Sequence, residues 1–147
     1  MLCILSLKVD ATGMYHSRGF HAVKETEWLV PRREHGISAN GIRHNDENCV
    51  RMHRKDGQEV CAVSRDHNGA IAAIMDELDG VRVKGRLLSK TAEVLVGRAY
   101  RLPMLIHFLG PRDKMKEMRE FIHLVLEDED MMDRVVVHDR KVIDLSL

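Results

Sequence analysis

Six cations are concentrated in residues 82–101, where the only acidic residue is Glu93. They are Arg82, Lys84, Arg86, Lys90, Arg98 and Arg101. If the segment VRVKGRLL is a strand, its three cations, Arg82, Lys84 and Arg86, project from one face at intervals of about 7 Å. That interval is close to the spacing of phosphates along one nucleic-acid strand. The pattern therefore predicts a surface that binds a nucleic-acid backbone or an acidic protein.

The same alternation also has a purely structural explanation. Charges on a half-exposed strand keep it soluble and prevent edge-to-edge aggregation. No aromatic residue is interleaved with the three cations of VRVKGRLL, so the sequence does not indicate the base stacking found in common single-strand binding folds.

A second group of residues could bind a metal. His35 and His44 lie in a polar stretch with Asp46, and imidazole and carboxylate groups are ligands of divalent metals. A small metal-dependent nuclease or phosphoesterase is therefore the alternative function, with the basic strand holding phosphate and a divalent metal as cofactor. It requires these side chains to converge, and scattered surface histidines are the competing explanation.

Other catalytic patterns are absent from the sequence. It contains no GxSxG, P-loop or GxGxxG motif. Without a recognisable catalytic set, the sequence favours a non-enzymatic binding or regulatory module that needs no cofactor, although it does not decide whether the protein is an enzyme.

Composition limits the kinds of partner. Lysine plus arginine and aspartate plus glutamate number 23 each in 147 residues, so the formal net charge is zero. Balanced charge argues against a general nucleic-acid or membrane binder and leaves electrostatic function to local patches. The acidic segment EDEDMMD, residues 127–133, could pair with the basic one in a homo-oligomer.

The setting expected from the sequence is the cytoplasm. No apolar run approaches the ~20 residues that a membrane helix requires. The three cysteines include no CxxC pair, which favours reduced thiols over a disulfide framework.

Among the elements that would position these residues, a hairpin has the clearest local signal. Asp56-Gly57 is typical of a two-residue type I′ turn, and it would pair Met52 with Cys61 and Arg54 with Glu59. The hairpin, at about residues 49–64, would form the antiparallel N-terminal part of a mixed sheet together with the apolar first segment MLCILSLKV.

Strand and helix patterns alternate after the hairpin. Residues 66–78 have apolar side chains at helical spacing, with Asp66 or Asn68 as the expected N-cap, and VRVKGRLL follows as a strand. The segments PMLIHFLG and PRDKMKEMREFIHLVLE predict a buried strand and an amphipathic helix. Such strand-helix-strand units predict an α+β fold, and they would fit a ferredoxin-like core.

Two segments are less regular. Residues 31–48 are rich in glycine, asparagine and charge and predict a long polar loop, which is uncommon in a compact domain and is often functional. Residues 89–101 fit either a helix or a strand. At this length, residues 1–147 are expected to form one α+β domain.

Overall fold

The computed structural model describes residues 1–14, 17–34, 46–90, 94–96 and 99–136. These ranges contain eight strands: β1 Leu2–Thr12, β2 Val30–Arg33, β3 Val50–His53, β4 Glu59–Val63, β5 Arg82–Leu87, β6 Val94–Val96, β7 Ala99–Gly110 and β8 Val135–Val136. The helices are α1 Gly19–Ala22, α2 Arg65–Glu77 and α3 Met115–Asp128. The predicted α+β class is therefore confirmed.

The sheet runs in the order β2-β3-β4-β1-β7-β5, with β8 beside β1 and β6 beside β7. Every strand pair recorded in the described residues is antiparallel. The expected mixed sheet is wrong, because β4 and β5, which flank α2 in sequence, are separated in the sheet by β1 and β7. A ferredoxin-like core has one strand between the two that flank a helix, whereas two lie between β4 and β5, so that expectation is not met either. The long β1–β7 pairing occupies the positions that a parallel β-α-β unit would have used.

The two ends of this sheet meet at a single backbone bridge. Leu29, just before β2, donates to the Gly85 carbonyl at 2.7 Å, and Gly85 donates back to the Leu29 carbonyl at 3.0 Å. The sheet is thereby closed into a barrel. Fully buried side chains such as Met52 and Ile106 fill its interior beside Gly85.

The hairpin forms, but its turn differs from the prediction. Met52 pairs with Cys61 as expected, whereas Glu59 faces His53 after a register shift. Gly57 donates to the Arg54 carbonyl, and only Gly57 of the two predicted turn residues has a positive φ, 94°. The loop is therefore a three-residue turn with a glycine bulge, and that extra residue displaces Arg54 from Glu59.

Several expected helix and loop boundaries are also corrected. The cap of α2 is Ser64, whose side chain accepts from the Asp66 amide, and the helix therefore begins two residues earlier than an Asp66 cap would place it. Of the ambiguous segment 89–101, residues 94–96 and 99–101 are strand, whereas Ser89 and Lys90 lie in the connection after β5. The predicted loop 31–48 begins inside β2, and residues 35–45 lie outside the described residues.

Helices α2 and α3 pack against each other, and α3 also packs against β1. The buried side of α3 consists of Met118, Ile122 and Leu126, as its helical spacing predicts. No helix in the described ranges has the length and apolar character needed to cross a membrane.

The barrel closure generates a prediction about Gly85. A Cβ atom there would lie 2.9 Å from both Ile106 Cδ1 and Met52 Cε and 3.2 Å from the Leu105 carbonyl oxygen. We expect Gly85→Val to lower the free energy of unfolding by about 1–3 kcal/mol through overpacking, measured by urea denaturation.

The matched control is Gly69→Ala in α2. The three atoms nearest to a Cβ atom there all belong to the Glu129 carboxylate, with Oε2 at 3.1 Å, and that exposed side chain can move. This variant should be as stable as the parent or up to about 1 kcal/mol more stable. Equal stability of the parent and Gly85→Val would contradict the closed barrel.

Candidate phosphate-binding face

The candidate site lies on the outer surface of the barrel over β1, β7 and β5. Gly85 and Leu87 face the interior, so the alternate positions Arg82, Lys84 and Arg86 share the outer face. We call this surface the β5 face. The prediction that residues 82–87 form a strand with three cations on one side is thus met by the geometry.

A tryptophan lies against this row of cations. Because Leu29 bridges Gly85, its neighbour Trp28 comes to lie beside the outward-facing residues of β5. Lys84 Nζ lies 3.9 Å from the Trp28 ring centroid and Arg86 Cζ lies 5.6 Å from it. Contacts of this kind between a cation and an aromatic ring are attractive.

The tryptophan is positioned from β7 as well. The Trp28 and His107 rings meet edge to face, with centroids 5.1 Å apart. His107 Nδ1 lies 2.6 Å from Ser6 Oγ, and His107 is directly opposite Lys84 in the β5–β7 register. Side chains from three neighbouring strands therefore hold the ring in place.

Lys84 is unusual because it is a nearly buried cation, with only 5% of its surface exposed. Burial lowers the pKa of Lys84, and the neighbouring Lys55 ammonium lowers it further. Within the described part of the chain, no carboxylate lies within 4 Å of Lys84 Nζ, and its one recorded contact is the Trp28 ring. Burying a charge without a partner is unfavourable, so this arrangement is not explained by the stability of the fold.

Two clefts open on either side of Trp28 and share Lys55. One, of about 280 Å³, has apolar walls provided by Trp28, Leu29, Val30 and Val83, with Lys55, Arg82 and Lys84 at its rim. The other, of about 380 Å³, contains the Glu27–Arg54 ion pair, whose Nε–Oε2 distance is 2.8 Å. The β5 face thus combines an apolar cleft with cations that have no acidic partner among the residues that the structure describes.

Lys90 and Arg101 do not join this face. Lys90 donates its ammonium to the Val23 carbonyl at 2.7 Å and lies over the Phe20 ring, so it anchors the segment after α1. Arg98 lies outside the described residues.

Arg101 belongs to a separate cluster, about 20 Å along β7 from His107. Arg101 Nη1 lies 2.6 Å from Asp66 Oδ2 and 3.5 Å from Asp10 Oδ2. The Asp10 amide donates to Nδ1 of the buried His67, and this histidine has a pKa lowered chiefly by burial. These bonds tie the end of β1 to the start of α2.

The metal-site alternative stays a prediction. His35 and His44 lie outside the described residues, and Asp46 already accepts from Asn68 Nδ2 at 2.8 Å. No cluster of three or more potential metal ligands occurs among the residues that the structure describes.

Sequence reasoning missed Trp28, Ser6 and His107. The absence of an aromatic residue from the basic segment VRVKGRLL argued against base stacking, but the aromatic side chain comes from a segment more than fifty residues earlier. The one available signal was that Trp28 is the only tryptophan in the sequence.

Comparison with known proteins places the chain in a structural class. The sequence matches no protein family model, and no curated protein matches it. Among solved structures, its antiparallel α+β fold is similar to that of a small domain of a human protein.

That structure is the HIRAN domain of human HLTF, which is 20% identical, with a TM-score of 0.62 over 87% of this chain and 91% of that chain. A protein from Lactobacillus plantarum, 18% identical, matches over 69% of this chain and 91% of its own, with a TM-score of 0.47. At this level of identity, the similarity to the HIRAN domain establishes the fold.

The unpaired state of Lys84 generates a prediction about stability and pH. We expect Lys84→Met, which keeps the apolar stem and removes the charge, to raise the free energy of unfolding at pH 7 by about 0.5–2 kcal/mol. Since the folded protein binds the Lys84 proton less tightly than the unfolded chain, the parent gains stability as the pH rises towards 10.5, the ordinary pKa of lysine.

The difference in the free energy of unfolding between the parent and Lys84→Met should therefore become smaller between pH 7 and pH 10. Urea denaturation at each pH measures this difference. Lys116→Met, an exposed lysine of α3, is the control and should show no such narrowing. A parent more stable than Lys84→Met at pH 7 would contradict an unfavourable buried charge.

Proposed function

We propose that this protein is a non-enzymatic binding module whose β5 face holds the phosphate backbone of a nucleic acid. The observation that carries the proposal is Lys84, a nearly buried cation that has no carboxylate partner in the described residues. A phosphate group of a bound strand would supply the missing negative charge.

The solubility explanation of the cation row accounts poorly for Lys84. A charge that keeps a strand soluble must be hydrated, and Arg82 is indeed exposed. Lys84 is almost withdrawn from water, and Arg86 Nε is buried without a hydrogen-bond partner among the described residues. Binding sites commonly retain such groups at a cost in stability.

The apolar cleft favours a nucleic acid over an acidic protein. A bound nucleotide has a planar apolar base next to its phosphate, and Trp28 forms part of a cleft beside the cations. Stacking of an unpaired base on an aromatic side chain contributes about 1–3 kcal/mol. An acidic polypeptide would offer carboxylates to the cations but no base for the cleft.

We expect Lys84→Met to weaken binding of a fluorescently labelled single-stranded oligonucleotide, followed by anisotropy at several salt concentrations. Loss of one phosphate contact should reduce the slope of log K against log salt concentration by about one. Arg119→Gln, which removes an exposed cation of α3, should change neither the affinity nor the slope. An unchanged slope in Lys84→Met would refute the phosphate contact.

A second prediction concerns Trp28. Binding should change the emission of this single tryptophan, and Trp28→Leu should weaken binding by about 1–3 kcal/mol, whereas Trp28→Phe should retain most of the affinity. Equal affinities of the two variants would argue against stacking. If polyglutamate bound as tightly as the oligonucleotide, the partner would be an acidic protein and not a nucleic acid.

A further inference from the structure

A partly exposed thiol lies at the edge of the β5 face. Cys3 Sγ is 3.4 Å from Ser6 Oγ and 3.8 Å from His107 Nδ1. Ser6 pairs with His107 across β1 and β7, and His107 pairs with Lys84 across β7 and β5. A continuous line of side chains therefore connects the thiol to the buried lysine.

The other two cysteines are chemically protected. Cys49 and Cys61 are buried. Burial raises the pKa of Cys49, and it raises the pKa of Cys61 to about 12. Since the thiolate is the reactive form, a mild thiol reagent should distinguish Cys3 from both.

Lys84 gives an independent reason to expect an anionic group near Cys3. Both groups adjoin His107: Cys3 Sγ lies 3.8 Å from its Nδ1, and Lys84 is directly opposite it in the β5–β7 register. Lys84 has no carboxylate partner in the described ranges, and it would therefore attract an anionic reagent towards the thiol.

We infer that Cys3 is a modification site that undergoes exchange with low-molecular-weight anionic disulfides and then carries the adduct beside Lys84 and Trp28. In this exchange the Cys3 sulfur forms a bond to one sulfur of the disulfide, and the S–S bond of the reagent breaks. The other half leaves as a thiolate, and the proton of Cys3 passes to that thiolate or to the buffer. The disulfide is the oxidant, and a second thiol reverses the reaction.

The consequence for binding rests on the proposed function. A glutathione adduct carries two carboxylates, which can approach the cations of the β5 face and compete with a phosphate backbone. Modification of Cys3 should therefore reduce nucleic-acid binding reversibly.

The first experiment measures the thiol reaction without nucleic acid. The native protein is treated with oxidised glutathione, and the adducts are located by mass spectrometry. We expect one adduct, at Cys3, and none in Cys3→Ser. Preferential modification of Cys49 or Cys61, or reaction of Cys3 no faster than that of a short peptide containing its flanking sequence, would overturn the inference.

The role of Lys84 is tested by comparing reagents of different charge. The rate with the anionic reagent 5,5′-dithiobis(2-nitrobenzoate), divided by the rate with neutral 4,4′-dithiodipyridine, should fall about threefold or more in Lys84→Met. It should be unchanged in Arg119→Gln. An unchanged ratio in Lys84→Met would overturn the attraction by Lys84.

The second experiment separates this inference from the proposed function. Glutathione-modified protein should bind the oligonucleotide at least about tenfold more weakly than the same sample after reduction, and Cys3→Ser should bind equally before and after treatment. The unmodified protein could bind no oligonucleotide while Cys3 still reacts selectively and Lys84→Met still lowers the ratio of the two reagent rates. In that case the proposed function would be refuted and the modification site would be supported. If unmodified protein bound and modification left the affinity unchanged, the inferred control of binding would fail.

Discussion

The β5 face depends on two backbone hydrogen bonds between Leu29 and Gly85. They close the barrel, and they also bring the outward-facing Trp28 beside Lys84 and Arg86. In an antiparallel pair the neighbours of bridged residues face each other on one surface, so the contact between cation and ring follows from the closure. The absence of a side chain at Gly85 permits this close approach, because Met52 and Ile106 occupy the space that a Cβ atom would require.

The local elements were largely predictable from the sequence, and their arrangement was not. Alternating spacing identified β5, an apolar run identified the second half of β7, and helical spacing identified α3, because each pattern reports which side chains are buried. The pairing of β1 with β7 joins residues about a hundred positions apart, and no local pattern reports such a pairing. The assumption that strands flanking a helix are adjacent produced the wrong mixed sheet.

The candidate site was also predictable only in part. The shared face of Arg82, Lys84 and Arg86 follows from the two-residue period of a strand, so the sequence predicted it. The environment of each cation depends on distant segments: Trp28 covers Lys84, whereas Asp10 and Asp66 hold Arg101. A count of cations over 82–101 could not separate side chains available to a ligand from those that hold the fold together.

The difference between paired and unpaired cations explains how a protein with no net charge can have a localised positive surface. Several arginines are neutralised where they stand, Arg33 by Asp76, Arg54 by Glu27, and Arg101 by its two aspartates. Lys84 has no such acid among the described residues, and its low exposure reduces the screening of its charge by water and salt. With zero net charge, long-range attraction of a polyanion is weak. Recognition at the β5 face must therefore arise from a few short-range contacts, in which one buried cation and one aromatic ring matter more than the total charge of the chain.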